Sequence, residues 1–249
     1  MIFDRIIAVR NNKTIYRDGN TVLKVFDESY TKADVLNEAY IQSQVENTSL
    51  SIPKILSVGS NGSKWYIESA YIPGKTLAQL MAEHPSEKDK FLRLFVDLQM
   101  DMHAKSCPNL RVLKEKISRR IDETTLDART KHTLHARLEA MPEHRKLCHG
   151  DFNPSNVIIR DDGKPYILDW SHAALGNASA DAARSYLLFR LNGEADEAET
   201  YLKLFCEKSG TEPKYVRRWM PIVAAAQMVK GNERERDFLI SQIDITEQE

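Results

Sequence analysis

The apolar periodicity of the chain changes character once, at Pro73-Gly74 in "YIPGKT". Upstream, short runs carry the two-residue period of strands: "RIIAV" is one, and "TIYRDGNTVLKVF" reads as strand, Asp18-Gly19-Asn20 turn, strand. "PKILSVGSNGSKWYIESAYI" reads the same way, turning at Ser60-Asn61-Gly62. Between these pairs "TKADVLNEAYIQSQVE" reads as a helix, with Thr31 and Asp34 spaced as a capping box. Downstream the spacing is helical. Phe91, Leu94, Phe95, Leu98 and Met102 line one face, and further helical segments cover about 110–121, 127–140 and the chain from about Ala180 onward. Strands gathered at one end and helices at the other predict an α+β chain, with a small antiparallel sheet and one helix over 1–72 and a mainly helical part over 73–249.

One stretch breaks the helical half. "LCHGDFNPSNVIIRDDGKPYILDWS" runs from Leu147 to Ser171, with short apolar runs on either side of an Arg160–Lys164 turn. Asp161, Asp162 and Gly163 are ordinary turn residues. The other polar groups have an order: His149-x-Asp151, then Asn156 five residues after Asp151, then Asp169 beyond the hairpin. Upstream, "VLKVF" sets Lys24 at mid-strand, and Glu38 lies in the following helix. A loop Asp followed by an Asn and a later Asp is the arrangement that phosphoryl transfer uses for a base and two metal ligands, with a strand Lys on the phosphates paired to a helix Glu. The chemistry explains the residue types. A hydroxyl nucleophile needs a proton acceptor, and Mg²⁺ prefers carboxylate and amide oxygens. Gly74-Lys75-Thr76 ends like a phosphate-binding loop, but position 69 is Ser where that loop needs Gly.

Composition narrows the remaining classes. With 35 basic and 36 acidic residues in 249, the chain has no basic surplus for nucleic acid. No apolar run approaches the ~18 residues that span a bilayer, and "MIFDRIIAVR" does not read as a signal peptide. Three widely spaced cysteines, Cys107, Cys148 and Cys206, form no CxxC motif and predict reduced thiols in a cytoplasmic protein. Sequons at Asn47, Asn61 and Asn177 are accordingly chance matches. Oligomeric state is left open.

"HGDFNPSNVII" and "ILDWSHAALGNASAD" together resemble the aminoglycoside phosphotransferase and choline kinase family, and the likeness extends to "VLKVF", the Glu38 helix and "YIESAYIPGKTL". The resemblance implies a bilobal protein-kinase-like fold and ATP-dependent, Mg²⁺-assisted phosphorylation of a hydroxyl on a small molecule. It implies Asp151 as the base and Asn156 and Asp169 as metal ligands. Lys24 would hold the phosphates with Glu38 as its partner, and adenine would sit on the backbone at Ala70 and Ile72. His149 would brace the loop and Asp181 would order the segment after Asp169.

Departures from protein kinases favour a small acceptor. Position 150 is Gly where protein kinases carry Arg, and no Ala-Pro-Glu follows Asp169. "NNKTIYRDGN" holds one glycine, so Asn11, Asn12 or Lys13 would cover the phosphates. Family acceptors include aminoglycosides, macrolides, choline, methylthioribose, homoserine and glycated amines. The neutral charge balance slightly disfavours a polycationic antibiotic. Tyr186, Trp219, Tyr215 and His172 are candidates for the acceptor pocket. The competing readings are a nucleotide-binding sensor without turnover and a compact protein kinase of the same fold.

Overall fold

The computed structural model describes residues 5–10 and 12–244. In chain order the elements begin with β1 (Arg5–Arg10), β2 (Lys13–Asp18), β3 (Thr21–Phe26), α1 (Lys32–Glu46), β4 (Ile55–Asn61), β5 (Lys64–Ala70), β6 (Lys75–Thr76) and α2 (Leu77–Glu83). Then come α3 (Lys88–His103), α4 (Leu113–Glu123), α5 (Ala128–Ala140), β7 (Lys146–Cys148), β8 (Val157–Ile159), β9 (Pro165–Ile167) and β10 (Ala174–Gly176). The chain continues through α6 (Ala178–Leu191), α7 (Ala195–Ser209), α8 (Pro213–Arg217), α9 (Met220–Met228) and α10 (Glu233–Asp244). Two compact units result. The first is the chain up to Leu80 together with Pro154–His172, and the second is Met81–Asn153 with the chain from Ala173.

The first unit holds an antiparallel five-stranded sheet in the order β1-β2-β3-β5-β4. The β2–β3 hairpin, the first of the two expected from the sequence, turns at Gly19-Asn20, between the paired Asp18 and Thr21, with Gly19 at φ 54°. The second turns one residue later than the sequence spacing suggests. Asn61 still pairs with Lys64, because Gly62 (φ 64°), rather than Asn61, takes the left-handed conformation the turn needs. Thr31 and Asp34 do form the reciprocal capping box that starts α1. The helix buries Val35 and Ala39 against Phe26 and Ile67, and Tyr30 and Trp65 pack at the edge of that cluster.

A second, three-stranded sheet, β6-β8-β9, carries the 154–172 segment in this unit. Lys75 and Thr76 pair with Ile159 and Ile158, and the Ile167 N–H donates to the Ser51 carbonyl at 3.0 Å. This explains Gly74. Its φ is 145°, and a Cβ there would lie 2.2 Å from the Ile159 carbonyl oxygen. Lys75 and Thr76 are therefore ladder residues, not the end of a phosphate loop.

The second unit is helical around a buried aromatic cluster. Phe152 stacks on Phe95 of α3 with centroids 4.2 Å apart, and Phe189 and Tyr201 meet Phe95 edge-on. Helix α9 is buried through Gln227, as befits "MPIVAAAQ", which is apolar on all sides. The short ladder β7–β10 pairs Cys148 with Ala174 and Lys146 with Gly176. Asn177 caps α6 through a bond from the Ser179 N–H and is 3 % exposed, which leaves its sequon no room for a glycan. No helix among the described residues is long and apolar enough to cross a membrane.

Gly74→Ala must open the β6–β8 contact and hold a non-glycine residue at φ 145°. We expect a loss of about 2 kcal/mol or more in unfolding free energy, checked by urea denaturation. A change within 0.5 kcal/mol would show that the close approach is not a constraint.

Candidate active site

In the first unit the β8–β9 hairpin brings two of the sequence candidates side by side. Val157 pairs with Ile167, and the Leu168 N–H donates to the Asn156 carbonyl at 2.8 Å. Asn156 therefore sits opposite the residue that precedes Asp169. Asp169 is the one non-glycine residue with positive φ (57°) among the described residues. Backbone strain of this kind persists where the surroundings over-determine it and concentrates at functional sites. Here the determinants are visible: Lys24 Nζ lies 3.0 Å from Asp169 Oδ1, and the Ser171 hydroxyl donates to the same oxygen at 3.1 Å.

Lys24 also reaches Glu38 Oε1 at 2.7 Å, and the other carboxylate oxygen of Glu38 takes Lys13 at 3.0 Å. Glu38 is buried and thus bridges two ammonium groups. Burial alone would lower the Lys24 pKa; the charges of Asp169 and Glu38 and their hydrogen bonds outweigh it and raise the pKa above the ordinary lysine value. The same Lys24 charge, against burial and with help from Lys13, holds the Asp169 carboxyl far below the usual carboxylate range. Both groups stay ionised near neutrality. Lys13 is committed to Glu38, and Asn12 donates to Ser29 at 3.3 Å; Asn11 lies outside the described residues. At the end of β5 the Ala70 N–H is taken by the Lys54 carbonyl, so only the Ala70 carbonyl could serve a base. Ile72 follows β5, outside the ladder.

In the second unit Asp151 lies on the loop after β7. The loop is anchored at its neighbours: Phe152 is fully buried, and its carbonyl accepts from the Ser185 hydroxyl at 2.7 Å. His149 is also fully buried, and its Nδ1 accepts from the Asp151 N–H at 3.2 Å, which fixes the ring as part of the turn. Asp181 holds the loop from the other side. Its carboxylate accepts from the backbone N–H groups of His149 (3.2 Å) and Gly150 (2.7 Å) and lies 3.0 Å from His103 Nε2. Burial raises the Asp181 pKa; the hydrogen bond and charge of His103 and the Gly150 N–H overcome that, so the net shift is downward. Beneath it Gln99, Ser185 and Tyr201 continue the hydrogen bonds.

Asp151 itself is flanked by cations. Arg184 Nη2 is 3.2 Å from its Oδ1, Lys230 Nζ is 3.6 Å from the same oxygen, and Arg184 Nε donates to the Gly150 carbonyl at 3.4 Å. Neither Arg184 nor Lys230 was among the sequence candidates. Arg184 carried a readable signal, since it follows Asp181 by three residues and so shares its helix face. Lys230 and His103 carried none, because their roles rest on contacts between distant segments. Among the acceptor-pocket candidates, Trp219 and Tyr186 are core side chains at 1 % and 2 % exposure. Tyr215 bonds Asn177 at 2.7 Å, and His172 lies in the first unit.

The donor set suits a hard divalent cation. Asn156 offers an amide oxygen and Asp169 an ionised carboxylate, adjacent across one hairpin. His103, Cys148 and Asp181 also place ligand atoms within 4.8 Å of one another. That group has a structural explanation, because the Asp181 oxygens are already taken by backbone N–H groups.

Comparison with known proteins agrees with this layout. A profile described as "Phosphotransferase enzyme family" matches residues 7–219. No curated protein matches by sequence. Among solved structures, the ternary complex of a thermostable D198A mutant of aminoglycoside phosphotransferase APH(4)-Ia with ADP and hygromycin B superposes with TM-score 0.74 at 20% identity, over 97% of this chain and 92% of that one. ADP-bound aminoglycoside phosphotransferase APH(2'')-Ib gives 0.64 at 17% identity, over 98% and 91%. A choline/ethanolamine kinase family protein from Mesorhizobium loti gives 0.63 at 14%, over 98% and 86%. At these identities the likeness establishes the fold, which is protein-kinase-like.

Removing the Asp181 carboxylate strands two backbone donors and His103 in the interior. Asp181→Ala should cost about 3 kcal/mol at pH 7, read by urea denaturation. Because the folded carboxyl has the lower pKa, its contribution is complete above the unfolded value near 4 and is lost as pH falls through the folded one. The gap between wild type and variant should therefore narrow below about pH 4. A gap that widens there would contradict the assignment.

Proposed function

We propose that this chain, which belongs to the phosphotransferase enzyme family, is a kinase that moves the γ-phosphoryl group of ATP to a hydroxyl of a small molecule. The observation that carries the reading is the Lys24–Glu38–Asp169 set, with Asn156 adjacent to Asp169 across one hairpin. A cation held by two carboxylates, one of them on a strained residue, suits a group that must meet phosphate oxygens in a fixed position.

Each residue has a role its surroundings support. Lys24 is a permanently charged donor toward the phosphates, kept in place by Glu38. The Ala70 carbonyl and the Ile72 backbone would receive adenine. Mg²⁺, when bound by Asn156 and Asp169, would neutralise phosphate charge. Asp151 takes the proton of the acceptor hydroxyl. A bond forms between that oxygen and the γ-phosphorus as the bond from phosphorus to the β,γ-bridging oxygen breaks, and the electron pair leaves with ADP. Arg184 orients the Asp151 carboxylate, while His149 and Asp181 hold the loop beneath it. Positioning and charge neutralisation supply most of the acceleration in such transfers. Three buried free cysteines suit a reducing, ATP-rich cytoplasm.

An ADP-release screen with Mg²⁺ over hydroxylated metabolites and antibiotics tests the reading. Asp151→Asn should lower turnover of any acceptor found by about 10²–10⁴-fold while ATP binding persists. Undiminished turnover in that variant would rule out Asp151 as the base. Tight ATP binding with no acceptor consumed across the screen would favour a sensor.

A further inference from the structure

Two cationic side chains meet at Asp151 in the second unit. Arg184 and Lys230 both sit on its Oδ1, at 3.2 and 3.6 Å. One carboxylate oxygen thus meets a guanidinium and an ammonium. Arg184 is 8 % exposed, and its Nη1 is buried with no hydrogen-bond partner among the described residues. An unmet buried donor on a charged group costs free energy, which an acceptor atom would relieve.

Further cations come from α4. Lys116 and Arg120 are four residues apart and share one face of that helix, with Lys116 Nζ donating to the Ala173 carbonyl at 3.4 Å. The members of the cluster act on one another. Burial, then Arg184, lowers the Arg120 pKa against the opposing charges of Glu123 and Asp151. Burial, then Arg184, lowers that of Lys230, with Arg120 adding to the effect. Burial, with Arg120, Arg111 and Arg119, brings Lys116 down to about 8. Like charges are held close together and partly out of water, an arrangement that an additional anion would stabilise.

We propose that the phosphate acceptor is itself an anion, carrying a carboxylate or phosphate group that seats on Arg184, Arg120 and Lys230 beside Asp151. This rests on the reading of Asp151 as the base: an acceptor whose hydroxyl meets that carboxylate brings its neighbouring groups among these cations. Arg forks fit an oxyanion bidentately. Lys230, 40 % exposed, stands where an incoming ligand can reach it. A polyamine sugar placed there would set ammonium against guanidinium, and like charges in contact oppose binding. The acceptor class that fits is a hydroxy acid or a phosphorylated polyol, not an aminated antibiotic.

The same cations could instead serve the γ-phosphate of the donor, so the test fills that position first. Full-length protein loaded with AMP-PNP and Mg²⁺ is titrated calorimetrically with inorganic phosphate, with glycerate and with glucosamine. The two anions should bind and glucosamine should not. Lys230→Gln and Arg120→Gln should each weaken anion binding at least tenfold and leave ADP affinity within twofold. Three outcomes would overturn the inference: preference for glucosamine, anion binding indifferent to both substitutions, or anion binding abolished by AMP-PNP. If AMP-PNP does not bind, the nucleotide reading fails, and the same titrations on unloaded protein decide the anion question. Because the readout is binding, a protein that never transfers phosphate can still uphold or overturn the anion site.

Discussion

A single buried carboxylate organises the loop on which the proposed base sits. Asp181 accepts two consecutive backbone N–H groups, from His149 and Gly150, and meets His103 on its other side. Consecutive N–H groups can aim at one acceptor only if the backbone between them turns, and Gly150 at φ 76° supplies that turn. Asp151 then leaves the loop in a set direction, while Phe152 drops into the aromatic core and locks the other end. Replacement of Gly150 by the Arg usual in protein kinases would remove the turn as well as alter the charge.

The first unit solves a different problem, which is how to hold a long, flexible lysine. Lys24 is paired twice, and Glu38 is itself paired twice. The network converts a mobile ammonium into a fixed one, and it places Asp169 in a conformation that only a specific set of partners sustains. The β8–β9 hairpin and the Leu168 N–H bond to the Asn156 carbonyl give Asp169 and Asn156 a common frame.

The units also differ in electrostatic character. Around Lys24 the charges pair off, two ammonium groups with two carboxylates. At Asp151 two cations, Arg184 and Lys230, meet one carboxylate oxygen. The overall charge of −1 hides this asymmetry. Net charge describes the average surface, and recognition is governed by the few groups that share a small volume.

Local spacing was enough to read the strand-rich and helix-rich parts, two of the sheet hairpins (β2–β3 and β4–β5), the α1 capping box and the hairpin that sets Asn156 near Asp169. Each follows from interactions within a dozen or so residues, where sequence distance and spatial distance agree. The second sheet hairpin shows the limit of that reading: its turn shifted by one residue because Gly62 could take positive φ at no steric cost. Tertiary structure alone revealed the left-handed Asp169, the double pairing of Glu38 and the His103 contact to Asp181. It also brought Arg184 and Lys230 to Asp151 from separate segments. Those features depend on which helices pack against one another, and no local pattern encodes that. The sequence by itself therefore determined the fold class and the order of the polar residues proposed to handle ATP. The charges proposed to meet the acceptor were set only by the packing of α4, α6 and the turn after α9, which no local pattern encodes.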